Sequence, residues 1–240
     1  MSQTASAILF IGGLSLAMFL TMAIYHSAYS QKADGRSRVG EMTADAMILA
    51  ILLIMSFVPN MGFIAITPLI SLTLLHLPVL LAAALGGWRK GLLMGFVFGV
   101  CSYINAIGQP AGFNAFFALP WTAIPPRMIF GLLAGIAFSL IRKLNKGRVK
   151  SLYFALAGFL LTCLHTVLVF ADLYLFFHQE IGAMLSSSDP IAQGTTITAL
   201  ALFAIGILGE ATLAAVLIPP LTQAVSKATP NLYAHRGIES

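Results

Sequence analysis

The sequence has 240 residues, of which 59% are apolar and 9% charged, against about 45–50% and about 25% in ordinary soluble domains. With a mean hydropathy of +0.93, the chain has too little polar surface to cover a water-facing sphere. A soluble globular protein is excluded, and the apolar residues must face lipid. The formal charge of +5 does not point to a nucleic-acid partner, because the basic residues sit in short loops between apolar runs and not on one water-facing patch.

Crossing a bilayer takes about 20 apolar residues at about 1.5 Å each. Runs of that kind lie near 6–25, 44–58, 67–86, 91–107, 121–141, 151–177 and 197–221, so the predicted fold is an all-α, polytopic membrane helical bundle. The runs at 44–58 and 91–107 are short for a full span, which fits helices that enter protein-lined loops near the outer surface. The first run has no basic residue before it and its positive flank after it, so it reads as an N-out anchor and not as a secretory signal. A polar linker from Gln31 to Glu41 separates it from the rest. The expected organisation is an N-terminal transmembrane helix with a basic linker at 1–43, a six-helix domain at 44–221 and a cytoplasmic tail at 222–240. No internal repeat or inverted symmetry is visible, which argues against a carrier built from duplicated halves.

The placement of the basic residues sets the orientation. Lys32, Arg36, Arg38, Arg89, Lys90, Arg142, Lys143, Lys146, Arg148, Lys150, Lys227 and Arg236 all fall on one side if the N-terminus is outside, while the loops near 59–66, 108–120 and 178–196 carry no Lys or Arg. By the positive-inside rule these twelve mark the cytoplasm, which predicts a multi-pass protein of the bacterial plasma (inner) membrane with its C-terminus inside. The remaining cation is Arg127.

Three helical positions break the apolar pattern. Arg127 follows Pro125 and Pro126 near the outer end of its helix, Glu210 falls near the middle of the last, and His165 lies mid-helix beside Thr162 and Thr166. A charge at the centre of a membrane helix costs about 2.5–3.5 kcal/mol on insertion scales, so each charge should face a bundle interior, a cavity or a partner. Two readings stand for each residue: a functional group in a polar site, or a satisfied structural one. The structural versions are Arg127 snorkelling to the interface, Glu210 protonated or bonded to a neighbouring helix, and His165 hydrogen-bonded in the core.

The outer segments Val58–Pro68 and Tyr103–Trp121 hold Met61, Phe63, Asn105, Gln109, Asn114, Phe116, Phe117 and Trp121 among prolines and glycines. Aromatics with a few amides suit a small-molecule pocket, and they equally suit an interfacial belt. Small residues recur four apart at Ala46 and Ala50, at Gly91, Gly95 and Gly99, and at Gly131 and Gly135, a spacing that lets helix backbones approach closely. Cys101 and Cys163 lie far apart in apolar stretches and read as ordinary buried thiols. There is no phosphate-binding loop, HExxH, GxSxG or CxxC. The chain is therefore expected to be neither an ATPase nor another enzyme, and to need no metal or cofactor.

The run ITPLISLTLLHLPVLLAAALGGWRKGLLMGFVFGVCSYINA, Ile66 to Ala106, and IPPRMIFGLLAG, Ile124 to Gly135, resemble the substrate-binding (S) components of energy-coupling factor (ECF) vitamin transporters. Ser71, Thr73, His76, Pro78, Phe96, Phe98, Gly99 and Ser102 fall at the family's positions in its second and third core helices. Pro126 and Arg127 match its Pro-Arg, and Glu210 its Glu before a C-terminal apolar run. The resemblance covers roughly residues 44 to 221 and looks nearest to the pantothenate and folate group, with His165 where that group carries Asn.

The resemblance implies a protein that binds a water-soluble vitamin on the outer face and topples in the lipid when docked on an EcfT-type transmembrane coupling subunit driven by two ECF ATPase subunits. Ala46 and Ala50 match the alanine pair that meets the coupling subunit. The implied ligand residues are Arg127 as anion clamp, with Phe63, Asn105, Trp121, His165 and Glu210. Two other classes stand beside this one: a self-contained proton-coupled carrier using Glu210, and a membrane scaffold with no ligand.

Overall fold

The computed structural model describes residues 35–59, 61–67, 70–108, 112–143, 148–185 and 190–228. The predicted helix at 6–25 therefore lies outside the described residues. Among the described residues six α-helices follow in order: α1 (Gly35–Phe57), α2 (His76–Gly86), α3 (Trp88–Gly108), α4 (Pro120–Arg142), α5 (Arg148–Leu185) and α6 (Pro190–Ala228). Between α1 and α2 stand two short strands, β1 (Phe63–Thr67) and β2 (Ile70–Thr73), and a 3₁₀ helix at Gly112–Ala118 precedes α4. In lipid every backbone polar group must be satisfied within the chain, which is why long apolar runs become helices. Five of the six contain stretches long and apolar enough to cross a membrane, and the polytopic helical bundle expected from composition is what forms.

The predicted run at 67–86 is helical only from His76 onward. Its first part pairs antiparallel with the preceding segment, Phe63 opposite Thr73, Ile64 opposite Leu72 and Ala65 opposite Ser71. Pro68 has no N–H to continue a helix and disfavours helical backbone before it, while the alternating Ile and Thr around it suit a pleated strand. The eleven-residue α2 spans about 16 Å, half of an apolar bilayer core of about 30 Å. The hairpin therefore occupies one end of the bundle, where β2 packs against α6.

The centre is a continuous apolar core of Leu52, Leu80, Met94, Phe98, Phe130, Phe138 and Ile218, among others. The glycines predicted to allow close approach line the seam between α3 and α4. A Cβ on Gly91 would overlap the carbonyl of Gly131, one on Gly95 the carbonyl of Arg127, and one on Gly135 the backbone of Trp88. Only glycine lets these antiparallel helices pack backbone to backbone, and the same contact fixes the height of Arg127 on α4.

At the basic end of the bundle the charges are tied into the fold. Lys90 lies buried in the first turn of α3, and its ammonium stands 2.7 Å from a carboxylate oxygen of Asp45 and 3.5 Å from one of Glu41, both on α1. Arg142 donates to the carbonyls of Ala84 and Leu85 at 2.9 Å each, capping α2 where the chain turns through Gly87 at φ +77°. Asp45, Ile48, Leu52 and Ser56 form the buried stripe of α1, while Met47, Ile51 and Ile54 face outward with Ala46 and Ala50.

Candidate functional site

A cluster of buried polar groups lies toward the opposite, hairpin end, and the sequence of α4 explains its first member. Pro126 lacks the N–H that would bond the carbonyl of Thr122 four residues back. Helical side chains point toward the N-terminus, so Arg127 reaches back and its Nη1 donates to that carbonyl at 2.9 Å. The guanidinium is 5% exposed and stands 4.3 Å from the ring centre of Phe117 and 5.8 Å from that of Phe98. Its Nε has no hydrogen-bond partner among the described residues. Thr122 in turn donates to the carbonyl of Phe116 at 2.6 Å, which holds the 3₁₀ helix, and with it Phe117, over the start of α4.

His165 on α5 is equally buried. Its ring lies 4.8 Å from Phe130, 5.4 Å from Phe98 and 6.3 Å from His76, the last in a stacked arrangement. Phe98 thus touches both Arg127 and His165 and makes the cluster continuous. His76 is fully buried and anchored by a 2.7 Å hydrogen bond between Nδ1 and the carbonyl of Thr73. The N–H of the same Thr73 donates to Oε1 of Glu210 at 2.5 Å, fastening β2 to α6. Asp172 stands two turns beyond His165 on the same face of α5 and interacts electrostatically with Arg127. Phe177, where α5 breaks, packs on Phe116 at 4.7 Å.

Buried polar atoms without partners are rare in folded proteins. Nε2 of His76, Nε2 of His165, Nε of Arg127 and Oδ2 of Asp172 have none among the described residues, and all belong to this cluster. Two carboxyl groups, one guanidinium and two imidazoles facing aromatic rings bring together the chemistry that can recognise a negative charge, apolar surface and hydrogen-bonding groups. Among the described residues no group of three or more His, Cys, Asp or Glu could hold a metal ion. A separate groove of about 510 Å³ lies along α5, lined by Cys163, Thr166, Val167, Phe170, Ala171, Tyr174 and Ile207. With Val167 and Tyr174 both more than 60% exposed, it is an apolar, lipid-facing surface unsuited to a charged solute.

Of the residues singled out from sequence, Arg127 and His165 meet in the cluster, and Glu210 borders it through Thr73. Asn105 donates its amide to the carbonyl of Ser56 at 3.2 Å, tying α3 to α1 at the hairpin end. Trp121 is half-buried in the first turn of α4. The backbone of Phe63 begins β1, but its side chain lies outside the described residues. His76, Asp172, Phe98 and Phe130 were not among the predicted ligand residues. A titratable side chain in an apolar run was the available signal for the first two; nothing in the sequence marks which of seventeen phenylalanines face a polar group.

Residues 41–226 match the family described as "ECF transporter, substrate-specific component". The chain is 28% identical over 214 residues, 82% of its length, to the pantothenic acid transporter PanT of Lactococcus lactis subsp. cremoris, covering 98% of that protein. It is 31% identical over 124 residues, half of its length, to the pantothenate transporter PanT of Leuconostoc mesenteroides subsp. mesenteroides, covering 60% of that protein.

Proposed function

Because the chain belongs to the family of ECF transporter substrate-specific components, we propose that it is the capture subunit of an ATP-driven importer for pantothenate or a closely similar carboxylate-bearing vitamin. The hairpin end faces outward, the basic end faces the cytoplasm of a bacterial plasma membrane, and the ligand enters beside Arg127. An EcfT-type coupling subunit docks on the exposed face of α1 at Ala46 and Ala50, and two ECF ATPase subunits supply the energy for toppling.

The observation that carries this reading is the open Nε of a buried Arg127 in a chain similar along most of its length to pantothenate transporters. A guanidinium with free donors in a low-dielectric interior favours a carboxylate strongly, and two parallel N–H···O bonds fix its direction. Glu210 acts one step away, by holding the hairpin over the ligand.

The test is pantothenate binding to the purified full chain in lipid nanodiscs, followed by uptake in vesicles with and without the ECF motor. Binding without the motor, and uptake only with motor and ATP, is expected. Uptake abolished by an uncoupler alone would identify a proton-coupled carrier, and no binding of any vitamin would favour a scaffold. Arg127→Gln removes the anion clamp and should weaken binding about 100-fold, equivalent to about 3 kcal/mol. Ala46→Trp with Ala50→Trp should leave binding intact and stop uptake.

A further inference from the structure

We propose that His76 reads a hydroxyl group of the ligand through its Nε2, so that the site selects a hydroxylated acid over the same acid without hydroxyls. The inference rests on the reading of a pantothenate-class ligand and adds a second recognition point distant from the carboxylate. A carbonyl oxygen only accepts hydrogen bonds, so the 2.7 Å contact to Thr73 requires Nδ1 of His76 to carry the proton. In the neutral imidazole the other nitrogen then presents a lone pair and acts as an acceptor. That nitrogen is buried and makes no hydrogen bond of normal geometry among the described residues; the backbone carbonyl of Glu210 also acts on the ring, but as an acceptor it cannot satisfy a lone pair. An acceptor left so in the interior costs free energy until a donor arrives.

The surroundings specify the donor. Nε2 of the stacked neighbour His165 is open as well, so two imidazole nitrogens await groups that donate or accept, as alcohols do. Phe98 lies against both Arg127 and His165, and Phe130 lies against His165. The cluster thus holds a guanidinium, aromatic surface and an imidazole pair in contact with one another. Pantothenate carries its carboxylate at one end and, beyond an amide, two hydroxyls that flank a dimethyl-substituted carbon at the other. The bond to Thr73 holds the ring in place, and β2 is held to α6 by Glu210, so the acceptor is fixed before the ligand binds.

The experiment compares affinities of the full chain in nanodiscs for pantothenate, for panthenol, which replaces the carboxylate with an alcohol, and for N-(3,3-dimethylbutanoyl)-β-alanine, which keeps the carboxylate and lacks both hydroxyls. Wild type should prefer pantothenate to the dideoxy acid by about tenfold or more, because loss of the hydroxyl leaves a buried acceptor unpaired. His76→Asn keeps a donor near the Nδ1 position for Thr73 and removes Nε2, so this preference should collapse toward one through weaker pantothenate binding. His76→Gln, which returns a polar atom near the Nε2 position, should restore part of it. Arg127→Gln should instead weaken both acids more than panthenol.

Equal affinity of wild type for pantothenate and the dideoxy acid overturns the inference without need of any variant. A His76→Asn protein that weakens every probe by one factor, or none, also overturns it, since His76 would then be structural. If wild type binds none of the three probes, the underlying reading of the ligand fails, an outcome distinct from loss of hydroxyl selectivity.

Discussion

At the basic end, Lys90 is buried between α1 and α3 with two carboxylates against its ammonium, and Arg142 makes hydrogen bonds to two carbonyls and to Ser139. At the hairpin end, Arg127 is buried as deeply but makes one hydrogen bond, to a carbonyl orphaned by proline, and neighbours an imidazole, His165, and the Asp172 carboxylate, which also have unpartnered atoms. Both ends bury cations at similar desolvation cost. Where the chain ties up a cation's donors in ion pairs and hydrogen bonds, the cation holds helices together; at Arg127 a carboxylate, Asp172, is near but Nε stays open, and on that open donor the proposed ligand site rests. Burial alone would have ranked Lys90 and Arg127 together, and only their partners separate them.

The comparison breaks most visibly at Lys90. Lys90→Met would leave Asp45 and Glu41 in a largely buried position without their ammonium, and breaking such a pair by removing one partner costs about 3 kcal/mol. A large drop in the unfolding temperature of the purified protein is expected, with unchanged pantothenate affinity in the fraction that remains folded. Replacing Asp45 by Leu in the same protein should recover much of the loss, since a well-packed apolar pair can match a buried ion pair. Loss of affinity as severe as that of Arg127→Gln would mean that the two ends do not divide their roles in this way.

The sequence made the bundle legible because its signals are strong and local: long apolar runs, and glycines four apart that the α3–α4 seam uses as backbone contacts. It misjudged residues 67–73, where an apolar run continues but Pro68 and the β-branched alternation turn it into a hairpin. Arg127 was visible as the one cation out of pattern, and His165 as a polar residue in an apolar run. His76 sat in a recognised motif, yet the reading of its ring depends on which nitrogen the carbonyl of Thr73 occupies, a detail of the turn from β2 into α2 that the apolar pattern does not carry. Lys90 looked like a loop charge that marks a membrane side; its role as an ion pair needed the approach of α1, forty-five residues away in sequence from Asp45 to Lys90.

A smaller perturbation tests whether the seam positions the site. Gly95→Ala would place a methyl group on the carbonyl of Arg127, whereas Gly91→Ala would place one on the carbonyl of Gly131, closer to the basic end. Overpacking of this kind costs about 1–3 kcal/mol, so both proteins should unfold at lower temperature. Only Gly95→Ala forces α4 away at the level of the guanidinium, and it should weaken pantothenate binding more than Gly91→Ala does. Equal effects on binding would show that the seam moves as one rigid unit and does not tune the site locally.

The mildest change concerns Asn105, which lies at the hairpin end but resembles the basic end in its bonding. Its amide nitrogen donates to the carbonyl of Ser56, a group that the chain provides, and so by the logic that separates Lys90 from Arg127 it is a fastening between α3 and α1. Asn105→Ala should cost about 1 kcal/mol of stability, the worth of one neutral hydrogen bond, and leave pantothenate affinity where it was. If affinity falls while the unfolding temperature holds, the amide oxygen faces the ligand and the site extends from Arg127 toward α1, making proximity to the hairpin a better guide to function than the state of a residue's partners.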